Sequence, residues 1–218
     1  MASRCLLYYI TDRSQFRGDE RAQNRDLLAK IAEAARASVH YIQLREKDLS
    51  ARKLETLARE AIAIVRENSS STRLLVNHRT DVALAAGADG VHLHADDVSP
   101  QEVRRILEVS AHRPLTTDHF LVAASCHAAA DVVRAESDGA DFAVFAPVFG
   151  KRNAPGTRSA GLTALREACR AKVPVLALGG VTIDNAASCL QAGAAGVAGI
   201  RLFQENKIED VVRALRAL

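Results

Sequence analysis

No apolar run in the chain approaches the ~20 residues needed to span a bilayer, so nothing in it reads as a membrane helix. The N-terminus enters a strand-like stretch almost at once, without the apolar core and small-residue cleavage site of a secretory signal, and a cytoplasmic protein is expected. Paired cysteine motifs are missing as well. Cys5, Cys126, Cys169 and Cys189 show no CxxC spacing and fall inside expected regular elements, which points to reduced packing thiols. Charge of one sign is scarce: 29 basic and 26 acidic residues are interspersed for a net charge of +3. Neither a nucleic-acid stripe nor a polybasic membrane segment stands out, so no nucleic acid and no membrane is expected as a partner. No Gly/Ser linker or break in composition divides the 218 residues, a length that suits one domain over 1–218.

What is there is a pattern that returns about every 50 residues, a small-residue turn running into a short β-type stretch. It reads Ala-Ser-Val-His-Tyr-Ile-Gln-Leu from Ala37, Ala-Gly-Ala-Asp-Gly-Val-His-Leu from Ala86, Asp-Gly-Ala-Asp-Phe-Ala-Val-Phe from Asp138 and Ala-Gly-Ala-Ala-Gly-Val-Ala-Gly from Ala192. The step is too long for one βα unit and suits two. Further strand-like runs lie between the copies, at Arg73–Asn77, Phe120–Ser125 and Pro174–Gly180, with an opening one at Cys5–Thr11. Eight strands alternating with amphipathic stretches predict an α/β fold, a single-domain (β/α)8 TIM barrel.

The intervening stretches have helical spacing. Leu27, Leu28, Ile31 and Ala35 share a face within Ala22–Ala37, and Leu54, Leu57, Ala58, Ala61 and Ile64 do so in the next helix. Ser99-Pro100 is an N-cap and N1 pair for a helix carrying Val103, Ile106 and Leu107. Val175–Leu178 is continuously apolar, as in a strand covered on both faces. Two polar stretches, Asp12–Gln23 and Pro147–Ala160, are too long for simple turns and fall after strands one and six, at the face where barrel loops carry function.

The residues that end the strands are polar. They are Gln43-Leu44-Arg45-Glu46-Lys47, Asn77-His78-Arg79, His92-Leu93-His94-Ala95-Asp96-Asp97 and Ser125-Cys126-His127. Gly179-Gly180 follow strand seven, and Gly199-Ile200-Arg201 follow strand eight where a short helix begins; exposed backbone amides there predict a phosphate cradle. His92 and His94 alternate at a strand end and so point the same way, a pattern also used to share a divalent metal in barrel hydrolases, although the further ligands of those enzymes are lacking.

Taken in order, Tyr9-Ile10-Thr11-Asp12, Gln43-Leu44-Arg45-Glu46-Lys47, Gly90-Val91-His92-Leu93 with Asp97, Pro147-Val148-Phe149 and Gly179-Gly180 resemble the motifs of the thiamine phosphate synthase and thiazole tautomerase superfamily, over about Leu6 to Phe203. The resemblance implies coupling of a hydroxymethylpyrimidine diphosphate with a thiazole phosphate, giving thiamine phosphate and pyrophosphate, with Mg2+ as cofactor. Small phosphorylated pyrimidine and thiazole substrates are the implied partners, and a homo-oligomer stays open. Loss of pyrophosphate develops charge on the leaving group, which preorganised cations stabilise. Arg45 and Lys47, two residues apart, can face one side and hold a diphosphate, one as a planar fork and the other as a point charge; alternatively the run Arg45-Glu46-Lys47-Asp48 pairs with itself. Gln43 and Asn77 would bond the pyrimidine, and Ser125 a phosphate or the ring.

Two departures from the synthase pattern matter. His78 stands where a magnesium-binding Asp is expected, leaving Asp97 as the matching metal ligand, and imidazole suits a hard cation poorly. After strand six, Lys151-Arg152-Asn153-Ala154 puts Ala154 where a diphosphate-binding Lys is expected, leaving Lys151 or Arg152 as candidates to take its place by loop rearrangement. Both departures give weight to the metal-independent tautomerase, for which the resemblance implies an acid–base role for His127, at a residue type whose pKa suits proton transfer near neutrality. His127 could otherwise simply start a helix and bond backbone. A non-catalytic binder of thiamine precursors is the remaining alternative.

Overall fold

A computed structural model describes residues 5–109, 119–150 and 159–218. Eight parallel strands, Leu6–Ile10 (β1), Tyr41–Leu44 (β2), Arg73–Asn77 (β3), Gly90–Leu93 (β4), Leu121–Cys126 (β5), Phe142–Phe145 (β6), Val175–Ala177 (β7) and Gly196–Gly199 (β8), close into a barrel in chain order. The ring closes where Leu6 meets Gly196 across β1 and β8. A 3-10 turn at Arg13–Gln15 precedes Glu20–Arg36 (α1); then come Ala51–Asn68 (α2), Thr80–Ala86 (α3), Pro100–Val109 (α4), Ala129–Ser137 (α5), Gly161–Ala168 (α6), Ile183–Gln191 (α7), Arg201–Gln204 (α8) and Ile208–Arg216 (α9). The eight-stranded barrel is the fold the repeat predicts.

Capping explains where the helices begin. The Asp19 carboxylate accepts from the Ala22 amide (2.9 Å) ahead of α1, and Ser50 caps α2. Ser99 and Glu102 form a reciprocal box ahead of α4, with the Ser99 amide donating to the Glu102 carboxylate (2.8 Å) and the Glu102 amide to the Ser99 hydroxyl (3.3 Å). In α2, Leu54, Leu57, Ala58 and Ala61 are buried as expected, together with Ile62 and Val65, while Ile64 is only partly covered. Leu27, Ile31 and Ala35 of α1 are likewise buried, and Leu28 sits at the margin. Each fully buried Leu or Ile contributes about 1.5–3 kcal/mol. Ile106 departs from its expected core place: it is 45% exposed, because only Val103 of that stripe reaches the sheet fully. β7 also ends earlier than Gly180, since Gly179 (φ +96°) and Gly180 (φ +66°) cannot extend a strand. Cys5, Cys126 and Cys189 are buried free thiols and Cys169 is half-buried. Among the described residues no helix is long and apolar enough to cross a membrane.

The barrel interior is layered along its axis, and this layering positions the site. Tyr41 and Phe142 open their strands and stack at 4.7 Å, and Tyr8 meets them edge-on at 5.9 and 5.4 Å. With Ile10, Leu75, Ala123, Val144, Leu176 and Ala198 they plug the interior. The period of two along each strand then carries the inward line on from Tyr41 to Gln43, from Leu75 to Asn77 and from Ala123 to Ser125. The apolar plug thus gives way to amides, a hydroxyl and an imidazole at the C-terminal mouth.

Candidate active site

The floor of the mouth is a buried neutral network. His92, 3% exposed, places Nδ1 3.0 Å from the Tyr8 hydroxyl and Nε2 2.8 Å from Ser125 Oγ. Burial holds the imidazole far below its ordinary range, at about 3, and the nearby His94 and Arg45 lower it further. The ring is therefore neutral at physiological pH, with one nitrogen donating and the other accepting. Tyr8 is fully buried, and His92 is its one hydrogen-bond partner among the described residues, so the phenol must spend its proton on Nδ1. Nε2–H then donates to Ser125 Oγ, which leaves the Ser125 proton for a ligand in the cleft. Sequence inspection singled out both Ser125 and His92, but took the imidazole as half of a His92–His94 metal pair rather than as the partner behind Ser125.

Beside this lies an amide pair. Gln43, 2% exposed, donates from Nε2 to Asn77 Oδ1 (3.4 Å), and the same oxygen lies 3.1 Å from His94 Nε2. His94 in turn stacks on His78, with ring centroids 5.3 Å apart and planes within 4°. Asp97 ties this corner together: its Oδ1 lies 3.0 Å from His78 Nδ1, and its Oδ2 accepts from the His94 amide at 2.7 Å. Partial burial lowers the His94 pKa, with Asp97 opposing the shift, so this ring also favours its neutral form. His78 holds a left-handed backbone conformation (φ +57°), pinned by the His78 amide donating to His92 O (2.8 Å). His92 and His94 do not share a site: one turns into the barrel to Tyr8 and Ser125, and the other meets His78 and Asp97.

The cationic rim depends on a residue that sequence inspection did not single out. Arg13, 3% exposed, lies over the end of β1; its Nη2 reaches Asp48 at 2.5 Å, and its amide donates to Glu46 Oε2 at 2.9 Å. Thr11 donates to Glu46 Oε1 (2.5 Å) and accepts from the Arg45 amide (2.9 Å). Burial pushes the Glu46 carboxyl up to about 7, against the hydrogen bonds it accepts. Both acids of the Arg45–Asp48 run are thus occupied by partners at the end of the neighbouring strand β1 rather than by their chain neighbours. Among the described residues, half-buried Arg45 and exposed Lys47 form no ion pair. The one sequence signal was the polar Asp12–Gln23 stretch, of which residues 13–15 fold as a 3-10 turn and residues from Glu20 onward as α1.

The remaining expected residues lie around the rim. His127 donates from Nδ1 to Ala146 O (2.8 Å), and its amide donates to Asp131 (3.0 Å), so it starts α5 bonded to backbone with Nε2 left as the acceptor nitrogen. It does not reach Ser125 or His92. Gly179 and Gly180 are required by packing: a Cβ at the first would lie 2.7 Å from Pro147 Cα, and one at the second 2.8 Å from Gly150 O. Gly199 runs into Ile200 and the single-turn helix of Arg201, which Gln204 fastens to the β1 loop by accepting from Tyr9 Oη (3.0 Å) and donating to Asp12 O (2.6 Å). Lys151 and Arg152 lie outside the described residues.

Comparison with known proteins gives a consistent result. Residues 7–203 match the family model described as thiamine monophosphate synthase. The chain is 38% identical over 216 residues to the thiamine-phosphate synthase of Methanoculleus marisnigri, covering 96% of this chain and 93% of that one. It is 36% identical over 201 residues to the thiamine-phosphate synthase of Roseiflexus castenholzii, covering 91% and 81%. The solved thiamine phosphate pyrophosphorylase from Pyrococcus furiosus superposes with a TM-score of 0.78 at 28% identity, over 99% of this chain and 95% of that one.

Proposed function

The chain belongs to the thiamine monophosphate synthase family, and we propose that its barrel mouth joins hydroxymethylpyrimidine diphosphate to thiazole phosphate through the residues described above. It is a transferase of thiamine biosynthesis, and we place its action in the cytoplasm within one barrel domain. The observation that carries the site assignment is the pair of cations, Arg45 and Lys47, that form no ion pair among the described residues, above a neutral polar floor. In the reaction the bond from the pyrimidine methylene carbon to the diphosphate oxygen breaks and its electron pair leaves with pyrophosphate; the thiazole nitrogen then supplies the pair for the new C–N bond. Arg45 and Lys47 meet the charge that accumulates on the leaving group, where fixed donors lower the barrier. Ser125 offers its hydroxyl proton to the same group, held outward by His92 and Tyr8. Gln43 and Asn77 present amides to the pyrimidine edge. Gly179, Gly180 and the Gly199-Ile200-Arg201 turn are assigned to the thiazole phosphate, and Lys151 and Arg152, outside the described residues, to the diphosphate.

Magnesium is the ion the family resemblance implies, with Asp97 as its ligand. The donors gathered at that corner are two imidazoles and one carboxylate, whereas Mg2+ demands octahedral oxygen. This donor set fits magnesium poorly, and none of the roles above is routed through it. One observation favours the tautomerase as a second reading: Nδ1 of His127 is tied to Ala146 O, which leaves Nε2 at the rim as a base.

Paired assays test the reading. Purified protein given both coupling substrates should release pyrophosphate, and Arg45→Ala or Lys47→Ala should each lower turnover on the order of 10²-fold. Wild-type rates in both variants would remove the two cations from the site. Isomerisation of the thiazole carboxylate phosphate that is lost in His127→Ala, with coupling absent throughout, would establish the tautomerase instead.

A further inference from the structure

The corner formed by His78, His94 and Asp97 has the makings of a cation site of a different class from the one the family resemblance implies. Each residue offers one ligand atom, and the three lie within 4.8 Å of one another across the ends of β3 and β4. Around a tetrahedral zinc-sized ion, with ligand bonds of about 2.0–2.2 Å, such atoms stand about 3.3 Å apart. Closing the difference asks for at most about 1.5 Å of adjustment, and the His78 side chain, 50% exposed, has the freedom to supply it. Two outer contacts already orient the ligands. His94 Nε2 lies 3.1 Å from Asn77 Oδ1, a carboxamide oxygen that can only accept, so this nitrogen carries the proton and Nδ1 keeps the lone pair. The His94 amide fixes one Asp97 oxygen at 2.7 Å. An imidazole whose second nitrogen is bonded to a carbonyl-type oxygen, beside a hydrogen-bonded carboxylate, is the usual outer arrangement of a metal ligand set.

We propose that His78, His94 and Asp97 bind a borderline transition-metal dication of the zinc and cobalt class in preference to magnesium. Two nitrogen donors and one oxygen donor select that class, whose affinity for such sites exceeds that of the harder ions. Three protein ligands leave a fourth position open to water or a ligand oxygen. Competing zinc sites are weak among the described residues. Burial pushes Cys126 up to about 12 and Cys169 and Cys189 up to about 11, so these thiols do not supply thiolate near neutral pH. The site holds its ion whether or not coupling is the reaction.

The test is titration calorimetry of chelator-stripped full-length protein with ZnCl2, with and without millimolar MgCl2, and the visible spectrum of the protein with CoCl2. One zinc ion should bind per chain, unaffected by magnesium, and cobalt should give the intense absorption of a four-coordinate site. His78→Asn, which tolerates the left-handed backbone, and His94→Gln should each weaken zinc more than tenfold and bleach the cobalt spectrum. His78→Asp should narrow the preference for zinc over magnesium. Zinc affinity unchanged in both His78→Asn and His94→Gln, with circular dichroism showing them folded, overturns the assignment, as does magnesium displacing zinc at comparable concentration. The readouts are binding and spectra, so failure of the coupling assay leaves this test intact.

Discussion

Glu46→Gln should stabilise the protein at alkaline pH and remove a pH dependence that runs opposite to that of an ordinary ion-paired carboxylate. Glu46 is 6% exposed beneath the cationic rim. Burial raises its carboxyl from 4.5 to about 7, although Thr11 and the Arg13 amide donate to it and Arg13 lies nearby. Arg13 offsets little because its Nε stands 3.7 Å from the carboxylate and makes no hydrogen bond. With the folded value above the unfolded one, the native state binds the proton more tightly. Stability from this group is therefore fully present below pH 4.5, falls as pH rises through the window to about 7, and levels off above it. At 1.36 kcal/mol per unit the gap amounts to about 3 kcal/mol, of which about 2.5 falls between pH 5 and pH 8. Gln mimics the protonated acid and has no such slope. His92 runs in the other sense: held at about 3, it withdraws stability as pH falls below its ordinary 6.5. Comparing the two proteins at each pH cancels that contribution. Urea unfolding at pH 5, 6, 7 and 8 should show the advantage of Glu46→Gln widening by about 2–3 kcal/mol across the series. A constant difference would refute both the buried, protonatable state of Glu46 and its place in the network.

Tyr8→Phe should cost about 1–3 kcal/mol in the same unfolding assay, because it strands the lone pair on buried His92 Nδ1; an unchanged midpoint would mean that the phenol does not donate there. Ser125→Ala should lower turnover of coupling on the order of 10-fold or more with little change in KM, since the lost donor meets charge that develops only in the transition state. A change confined to KM would assign Ser125 to ground-state binding. Gly180→Val should lower the thermal midpoint as well as phosphate affinity, because its Cβ would meet Gly150 O and Phe149 at 2.8 Å and its φ of +66° strains a β-branched residue; full stability in the variant would contradict this packing.

The barrel was legible because its strands alternate with helices at a regular step and because small-residue turns mark four of the eight strand starts. Residues at even steps from the apolar plug were legible too. Once Tyr41 faces inward, so must Gln43, and the same parity carries Ala123 to Ser125. The network around Arg13 was not legible, since it joins side chains 33 and 35 residues apart in sequence. Nothing in Arg45-Glu46-Lys47-Asp48 says that its acids look across to another strand end. The pairing of His94 with His78 was hidden for a related reason. The alternation of His92 and His94 suggested one shared environment, but His92 pairs in register with Ala123 and turns inward to Ser125, while His94 stands beyond the end of β4.

That difference in depth gives the site its order. Along the barrel axis the interior passes from stacked aromatics, through a neutral layer of Tyr8, His92, Ser125, Gln43 and Asn77, to the charged rim of Arg45 and Lys47. Desolvation forces this sequence: a group as buried as His92 is held neutral, so cations meant to remain charged must stand farther out. A substrate with an aromatic ring at one end and a diphosphate at the other is complementary to that gradient in one orientation only, with its ring toward the amides and its phosphates toward the arginine and lysine. Reversed, the diphosphate would sit against a neutral floor with few donors to spare, at a desolvation cost of several kcal/mol for each unpaired charge. On the proposed site assignment, an orientation with the leaving group outermost and the reactive carbon between floor and rim follows from where burial permits charge.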